Sequence, residues 1–309
     1  MIKLNGRTIN FGVFPNGESY ADIDSNKVNT DKSNIIHFKF EDDTDIVHLQ
    51  FVKDFVDEYS YGIPCYLIMP YVPYSRMDRK EEKRLFTLKS FARIINSLNF
   101  TRITIEEPHS DVTPALLDRV EVVNKSADLA LIAMRDELGL QGTCWLRPAY
   151  TYADKEFSYN LEGLFERAKD KGIYLVYPDN GAEKRYTKQI KYSKVMSCSK
   201  ERDFNTGNIK SIKLQGYEVS QDCEVAIIVD DLCSKGGTFV GSAAELYKYL
   251  PNLKKVILCI THSENTIYDG SVLSGKEISK VYTTSSILRE KSMSEEVNFD
   301  RSKLVVIDD

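Results

Sequence analysis

Two adjacent aspartates, Asp230 and Asp231, end the apolar run Val225–Val229 and lead into Ser234-Lys235-Gly236-Gly237-Thr238, after which a helical pattern begins. A strand ending in acids, followed by a glycine turn and a helix, is a binding arrangement of open α/β sheets, whose ligands sit beyond the carboxyl ends of the strands. The glycines let backbone approach closely, and amides at the helix start favour an anion. Two carboxylates ahead of such a loop suit the adjacent hydroxyls of a ribose, so the spacing points to a cradle for ribose 5-phosphate. The plainer alternative is a glycine turn in which Thr238 caps the helix. Neither a G-x-x-x-x-G-K-[ST] loop nor a G-x-G-x-x-G turn is present, which argues against an ordinary P-loop enzyme and against a nicotinamide dehydrogenase.

Four other segments carry groups that can do chemistry. MPYVPYSRMDRKEEKR (69–84) puts Arg76, Arg79, Lys80, Lys83 and Arg84 just beyond a strand. Such cations suit a polyphosphate, although the interleaved Asp78, Glu81 and Glu82 equally suit a solvated loop. In IEEPHSD (105–111), His109 follows a strand among acids, as a divalent-metal ligand or as an ordinary surface histidine. Asp179 leaves a strand in YPDNGAEKR (177–185), a turn sequence with many non-functional uses. SKERDFNTG (199–207), with Lys200 and Arg202, reads in isolation as a polar loop.

The elements that must position these residues alternate. Strands are expected at 35–40, 65–71, 102–106, 173–177, 225–231, 255–262 and near 280–284. Helices are expected at 85–99, with Leu85, Leu88, Phe91, Ile94 and Ile95 at helical spacing, and at 124–138, with Leu129, Leu131, Ile132 and Met134 as core candidates. Two more are expected at 159–171 and 238–250. This alternation predicts an α/β protein built on right-handed βαβ units and mostly parallel sheets. The pattern weakens around 140–156, which places a boundary between domains 1–145 and 146–309.

The chain has 309 residues, enough for two domains, and a net charge of −5. That balance lacks the basic footprint of a general nucleic-acid binder. No window approaches the roughly 20 apolar residues of a membrane span, and no signal peptide is evident. The six cysteines show neither C-x-x-C nor zinc spacing, which reads as buried thiols in a reducing, cytoplasmic compartment.

Taken in order, FPNGES (14–19), PYVPYSRMDRK (70–80), EEPHSD (106–111), PDNGAEKR (178–185), SKERDFNTG (199–207) and VDDLCSKGGTF (229–239) resemble the ribose-phosphate diphosphokinases, the phosphoribosyl pyrophosphate (PRPP) synthetases. The resemblance implies two phosphoribosyltransferase-like α/β domains, each a mostly parallel sheet flanked by helices. It implies magnesium-dependent transfer of the β,γ-pyrophosphate of ATP to the anomeric hydroxyl of ribose 5-phosphate, giving PRPP and AMP. Phe14, Asn16 and Glu18 resemble the loop that holds adenine across a subunit interface, which implies a homo-oligomer, a dimer or a hexamer. Arg76, with Asp78 and Arg79 of the same motif, resembles the ATP-phosphate site. His109 and Asp179 resemble the magnesium residues, and Lys200 and Arg202 the catalytic cations of a flexible loop. Asp230 and Asp231 match the ribose-hydroxyl carboxylates, and Ser234, Lys235, Gly236, Gly237 and Thr238 the 5-phosphate loop.

The departures are specific. Met77 stands where the family usually has Gln, Ser110-Asp111-Val112-Thr113-Pro114 replaces a Gln-Ile-Gln-Gly-Phe-Phe stretch, and Ser234-Lys235 replaces Asp-Thr. These changes resemble a divergent, often phage-encoded branch associated with NAD salvage, some members of which act on ADP-ribose. Three further readings follow: the same chemistry with ADP-ribose as acceptor, a true phosphoribosyltransferase consuming PRPP, and a non-catalytic nucleotide-binding regulatory relative.

Overall fold

The computed structural model describes residues 1–140, 155–202, 209–289, 291–292 and 295–307. The chain divides into two compact units, Met1–Val123 and Asn124–Asp309. The division lies upstream of the boundary near 145 expected where the strand and helix pattern weakens, because the helix 125–137 packs within the second unit.

The first unit runs β1 (Ile2–Leu4), β2 (Arg7–Thr8), β3 (Phe11–Val13), β4 (Ser19–Ala21), β5 (Asn34–Phe38), α1 (Thr44–Tyr59), β6 (Cys65–Met69), α2 (Thr87–Ser97), β7 (Arg102–Glu106), α3 (Val112–Leu116) and β8 (Val120–Val123). Its sheet has the order β2-β1-β5-β6-β7-β8, with β5 to β8 parallel and β1 and β2 antiparallel at one edge. β3 and β4 form a separate hairpin. α2 buries Leu88, Phe91, Ala92 and Ile95 against this sheet, each large side chain contributing about 1.5–3 kcal/mol. Leu85 and Ile94, expected on the same face, are exposed; Leu85 precedes the helix, and Ile94 points away from the buried stripe. α1 was not legible: Ile46, Val47, Phe51 and Phe55 blur the stripe formed by Leu49, Val52 and Val56.

The second unit runs α4 (Lys125–Glu137), α5 (Lys155–Asp170), β9 (Ile173–Tyr177), α6 (Asn180–Gln189), β10 (Val195–Arg202), β11 (Ile209–Gln215), β12 (Val225–Cys233), α7 (Gly237–Tyr249), β13 (Lys255–Ser263), α8 (Ser271–Ser274), β14 (Lys280–Thr284) and β15 (Leu304–Ile307). The sheet order is β11-β10-β9-β12-β13-β14-β15, parallel except for the antiparallel edge strand β11. Apolar continuity in β12 has a direct cause. Ala226 and Ile228 enter the core that α7 covers, while Val225, Ile227 and Val229 enter the core covered by α4, α5 and α6. Cys65, Cys198, Cys223, Cys233 and Cys259 are buried free thiols; burial pushes Cys65, Cys223 and Cys233 up to about 12. Among the described residues no helix is long and apolar enough to cross a membrane.

Candidate functional site

The second unit assembles its polar groups at the carboxyl ends of β9 and β12, which are parallel neighbours in register as far as Val176 and Ile228. Asp179 leaves β9 and caps α6, its Oδ1 accepting the Ala182 amide at 3.0 Å. In β12, Asp230 Oδ1 accepts the Asp231 amide at 3.0 Å. Burial and the carboxylates of Asp231 and Asp179 push Asp230 well above the usual carboxylate range. Asp231 is 6% exposed, and Arg185 Nη1 lies 3.9 Å from its Oδ1.

β12 continues to Cys233, two residues past the end expected from sequence, before the glycine turn. Gly236 is the helix cap, not Thr238, and α7 starts at Gly237. Gly236 has φ +77, and a Cβ there would stand 1.8 Å from Val272 Cγ2, so glycine is required both for backbone conformation and for space. The Phe239 and Val240 amides bond to the Gly236 carbonyl at 2.9 and 3.1 Å. The preceding amides of Gly237 and Thr238 therefore belong to the helix start, where intrahelical acceptors are lacking and anions are favoured. Lys235 is exposed, and the Ser234 hydroxyl donates to Glu264 Oε2 at 2.5 Å.

The backbone of Lys200 and Arg202 is strand, correcting the reading of 199–202 as loop. They pair with Ile212 and Ile209 of β11 across a bulge between Glu201 and Arg202. The polar alternation of an edge strand hid this pairing from a search for apolar runs. The side chains of Lys200 and Arg202, and all of 203–208, lie outside the described residues, as does Cys144.

In the first unit, β6 and β7 are parallel neighbours, so the segments carrying Arg76 and His109 leave the same edge of the sheet. Tyr74, at φ +62, donates its hydroxyl to Asp43, and the Met77 amide bonds to the Tyr74 carbonyl at 2.9 Å. This turn presents Arg76 at the surface beside half-buried Met77 and Asp78. Arg79 and Arg84 both approach Glu81, at 3.9 and 3.5 Å, so part of the cation cluster is neutralised locally. His109 is half-buried beyond Glu107, whose positive φ (+37) turns the chain while its amide bonds to Val123 O.

The loop between β3 and β4 is closed by Phe14 N to Glu18 O at 2.7 Å, Gly17 N to Phe14 O at 2.8 Å and Glu18 N to Asn16 Oδ1 at 3.1 Å. It holds Phe14 51% exposed, against the Tyr20 ring at 4.6 Å, with Asn16 and Glu18 also exposed.

Among the described residues no group of three or more His, Cys, Asp or Glu is arranged to hold a metal ion. His109 and Asp179 belong to different units. Burial and the carboxylates of Asp231 and Asp179 raise Asp230, so acidic groups are concentrated at the β9 and β12 ends.

Sequence reasoning missed three contributors. Ser126, in the first turn of α4, donates to the Asp230 carbonyl at 2.8 Å and lies 2.7 Å from the Thr261 hydroxyl. Glu264 accepts the Ser234 hydroxyl in the turn between β12 and α7. No local motif marks any of them; only the adjacency of β12, β13 and α4 brings them to the site.

No family model matches the chain. It is 26% identical over 295 residues to a ribose-phosphate pyrophosphokinase of Sulfolobus acidocaldarius, covering 91% of this chain and 84% of that protein. It is 25% identical over 291 residues to one from Sulfurisphaera tokodaii, with the same coverage. Its fold matches the crystal structure of phosphoribosylpyrophosphate synthetase from Mycobacterium smegmatis with a TM-score of 0.62 at 16% identity, over 97% of this chain and 86% of that one. The chain is thus similar in sequence, along nine-tenths of its length, to proteins named ribose-phosphate pyrophosphokinase, and it shares its fold with a phosphoribosylpyrophosphate synthetase.

Proposed function

We propose that the chain transfers the β,γ-pyrophosphate of ATP to the anomeric hydroxyl of a ribose 5-phosphate group, releasing AMP. The observation that carries this reading is the order of groups at the carboxyl end of β12: Asp230, Asp231, a left-handed glycine cap at Gly236 and the open start of α7. Asp230 and Asp231 accept the ribose 2- and 3-hydroxyls, and the amides of Gly237 and Thr238 take the 5-phosphate, leaving the anomeric hydroxyl free to attack. Ser126 fixes the backbone beneath Asp230.

Arg76, with Asp78 and Arg79, binds the ATP phosphates, and Phe14 with Asn16 and Glu18 holds the base. The exposure of Phe14 suits a ring that reaches a second copy of the chain, so the working form is a homo-oligomer. Lys200 and Arg202 neutralise charge spreading over the transferred group, because in-line transfer at phosphorus depends on positioning and electrostatics. Magnesium bound with ATP would supply further charge neutralisation; His109 in the first unit and Asp179 in the second are separate candidate ligands for it.

Two acceptors fit, ribose 5-phosphate giving PRPP and ADP-ribose giving its 1-pyrophosphate for NAD salvage. ADP-ribose is favoured by the substituted loop, where Lys235 is exposed and Ser234 is bonded to a carboxylate. Each acceptor is incubated with MgATP, and products are identified by mass. Magnesium-dependent, acceptor-dependent AMP with a pyrophosphorylated sugar is expected. ADP as the sole nucleotide product, or no turnover with either acceptor, would overturn the reading. Consumption of PRPP with a base and without ATP would establish a transferase instead, and tight nucleotide binding without turnover a regulatory relative.

A further inference from the structure

Arg185, in the turn sequence YPDNGAEKR, has no part in the function proposed above. Asp179 fixes the start of α6: its Oδ1 accepts the Ala182 amide at 3.0 Å, and its carbonyl accepts the Glu183 amide at 3.0 Å. Beyond this cap the helix seats on the sheet through Ala182 and Tyr186, both buried, with the Tyr186 and Tyr177 ring centroids 6.3 Å apart. Arg185 follows Ala182 by three residues and so flanks the seated face, whereas Lys184 is exposed. In β12, Asp231 has the parity of Val225, Ile227 and Val229, whose side chains enter the core covered by α4, α5 and α6. Strand alternation therefore turns Asp231 toward α6. Arg185 Nη1 lies 3.9 Å from Asp231 Oδ1, and the aspartate side chain is 9% exposed.

We propose that Arg185 is a positioning residue for the acceptor: it holds Asp231 in place to accept a ribose hydroxyl, and so sets acceptor affinity through that aspartate. This rests on the function proposed above and adds a residue to the same site. A carboxylate almost removed from water is costly unless it is paired, and removing its partner leaves the charge uncompensated. The neighbouring carboxylate of Asp230 repels Asp231. The guanidinium offsets that repulsion, and its planar fork favours one carboxylate orientation. Two helices thus fix the two aspartates by different groups: Ser126 of α4 holds the Asp230 carbonyl, and Arg185 of α6 faces the Asp231 carboxylate.

The test is a double-variant cycle read by calorimetric titration of ribose 5-phosphate and of ADP-ribose, with KM measured for acceptor and for ATP. Arg185→Gln is expected to weaken acceptor binding about tenfold, while KM for ATP stays within about twofold of wild type. Arg185→Lys, which restores a cation without the fork, is expected to recover at least about threefold of that loss. In an Asp231→Asn background, Arg185→Gln is expected to do little, because the group it acts through is gone. Lys184→Gln, at the exposed neighbour, is expected to bind as wild type does. The proposal is overturned by unchanged affinity in Arg185→Gln, by equal losses with and without the Asp231 carboxylate, by an equal loss in Lys184→Gln, or by parallel rises in both KM values. If Asp231→Asn binds too weakly to titrate, Arg185→Lys decides, and no recovery there overturns the proposal. A wild type that binds an acceptor without transferring pyrophosphate fails the function alone, and the cycle still decides the role of Arg185. A wild type that binds neither acceptor overturns both.

Discussion

The hydroxyl of Ser126 donates to the main-chain carbonyl of Asp230 at 2.8 Å, joining residues 104 apart in sequence, and the same oxygen lies 2.7 Å from the Thr261 hydroxyl. The first turn of α4 is thereby pinned to β12 and β13 beneath the two aspartates. Ser126 is fully buried, so these bonds form without competing water. If Asp230 holds a sugar hydroxyl as proposed, its rigidity matters, because a group displaced by about 1 Å loses much of the benefit of prior orientation.

Ser126→Ala is expected to cost about 1–3 kcal/mol in urea unfolding, since it leaves a buried carbonyl and a buried hydroxyl short of a partner. KM for the acceptor is expected to rise while KM for ATP stays close to wild type. Equal changes in both constants would mean that Ser126 supports the unit generally and not Asp230 in particular.

Asp230→Asn separates stability from function. The folded pKa of Asp230 lies well above the ordinary 3.8, so the ligand-free protein loses stability as pH rises from about 4 through that folded value. Above it the carboxylate is ionised beside Asp231 and Asp179. The neutral variant is expected to melt higher than wild type at pH 8, by roughly 2–4 °C for each kcal/mol relieved, and to lose acceptor turnover. The gap in melting temperature should close toward pH 4. A variant less stable than wild type at pH 8 would contradict this account of the acidic cluster.

At Gly236, alanine must adopt φ +77 and place its methyl 1.8 Å from Val272 Cγ2. Gly236→Ala is expected to destabilise by about 2–4 kcal/mol, from backbone strain and overpacking together. Adding Val272→Ala opens the space and should recover part of the stability, while acceptor binding stays impaired because the cap remains strained. Full recovery of binding in the double variant would show that space alone demanded glycine. Differential scanning calorimetry and acceptor titration measure the two quantities.

Lys200→Ala and Arg202→Ala are each expected to lower kcat by about 10²–10³-fold, the scale of removing one charge-stabilising group from a transition state. Melting temperature and acceptor KM should change little. Unaltered rates would place the cations that stabilise the reaction elsewhere.

Much of the scaffold was legible in the sequence because buried parallel strands are continuous apolar runs. Ile173–Tyr177 and Arg102–Glu106 were bounded correctly, and the Val225 run was short by two residues. The missing elements lacked a clean pattern. α1 carries apolar residues around most of its circumference, and β10 and β11 are a polar edge pair. The site divided in the same way. Asp230, Asp231 and Gly236, the residues of the proposed acceptor site, stand out in the sequence because strand, acids and glycines are consecutive. Ser126, Thr261 and Glu264 did not, because their contribution comes from neighbours joined only by folding. Charge density around Arg76 was also an incomplete guide, since Glu81 approaches both Arg79 and Arg84.

Phosphorus-31 NMR of MgATP mixed with ribose 5-phosphate or with ADP-ribose tests the central claim most directly. The account predicts that AMP appears in step with a new pyrophosphate doublet pair on the anomeric carbon of the acceptor, and that neither appears without magnesium. Resonances of ADP with a singly phosphorylated sugar, or of free phosphate with the acceptor untouched, would contradict it.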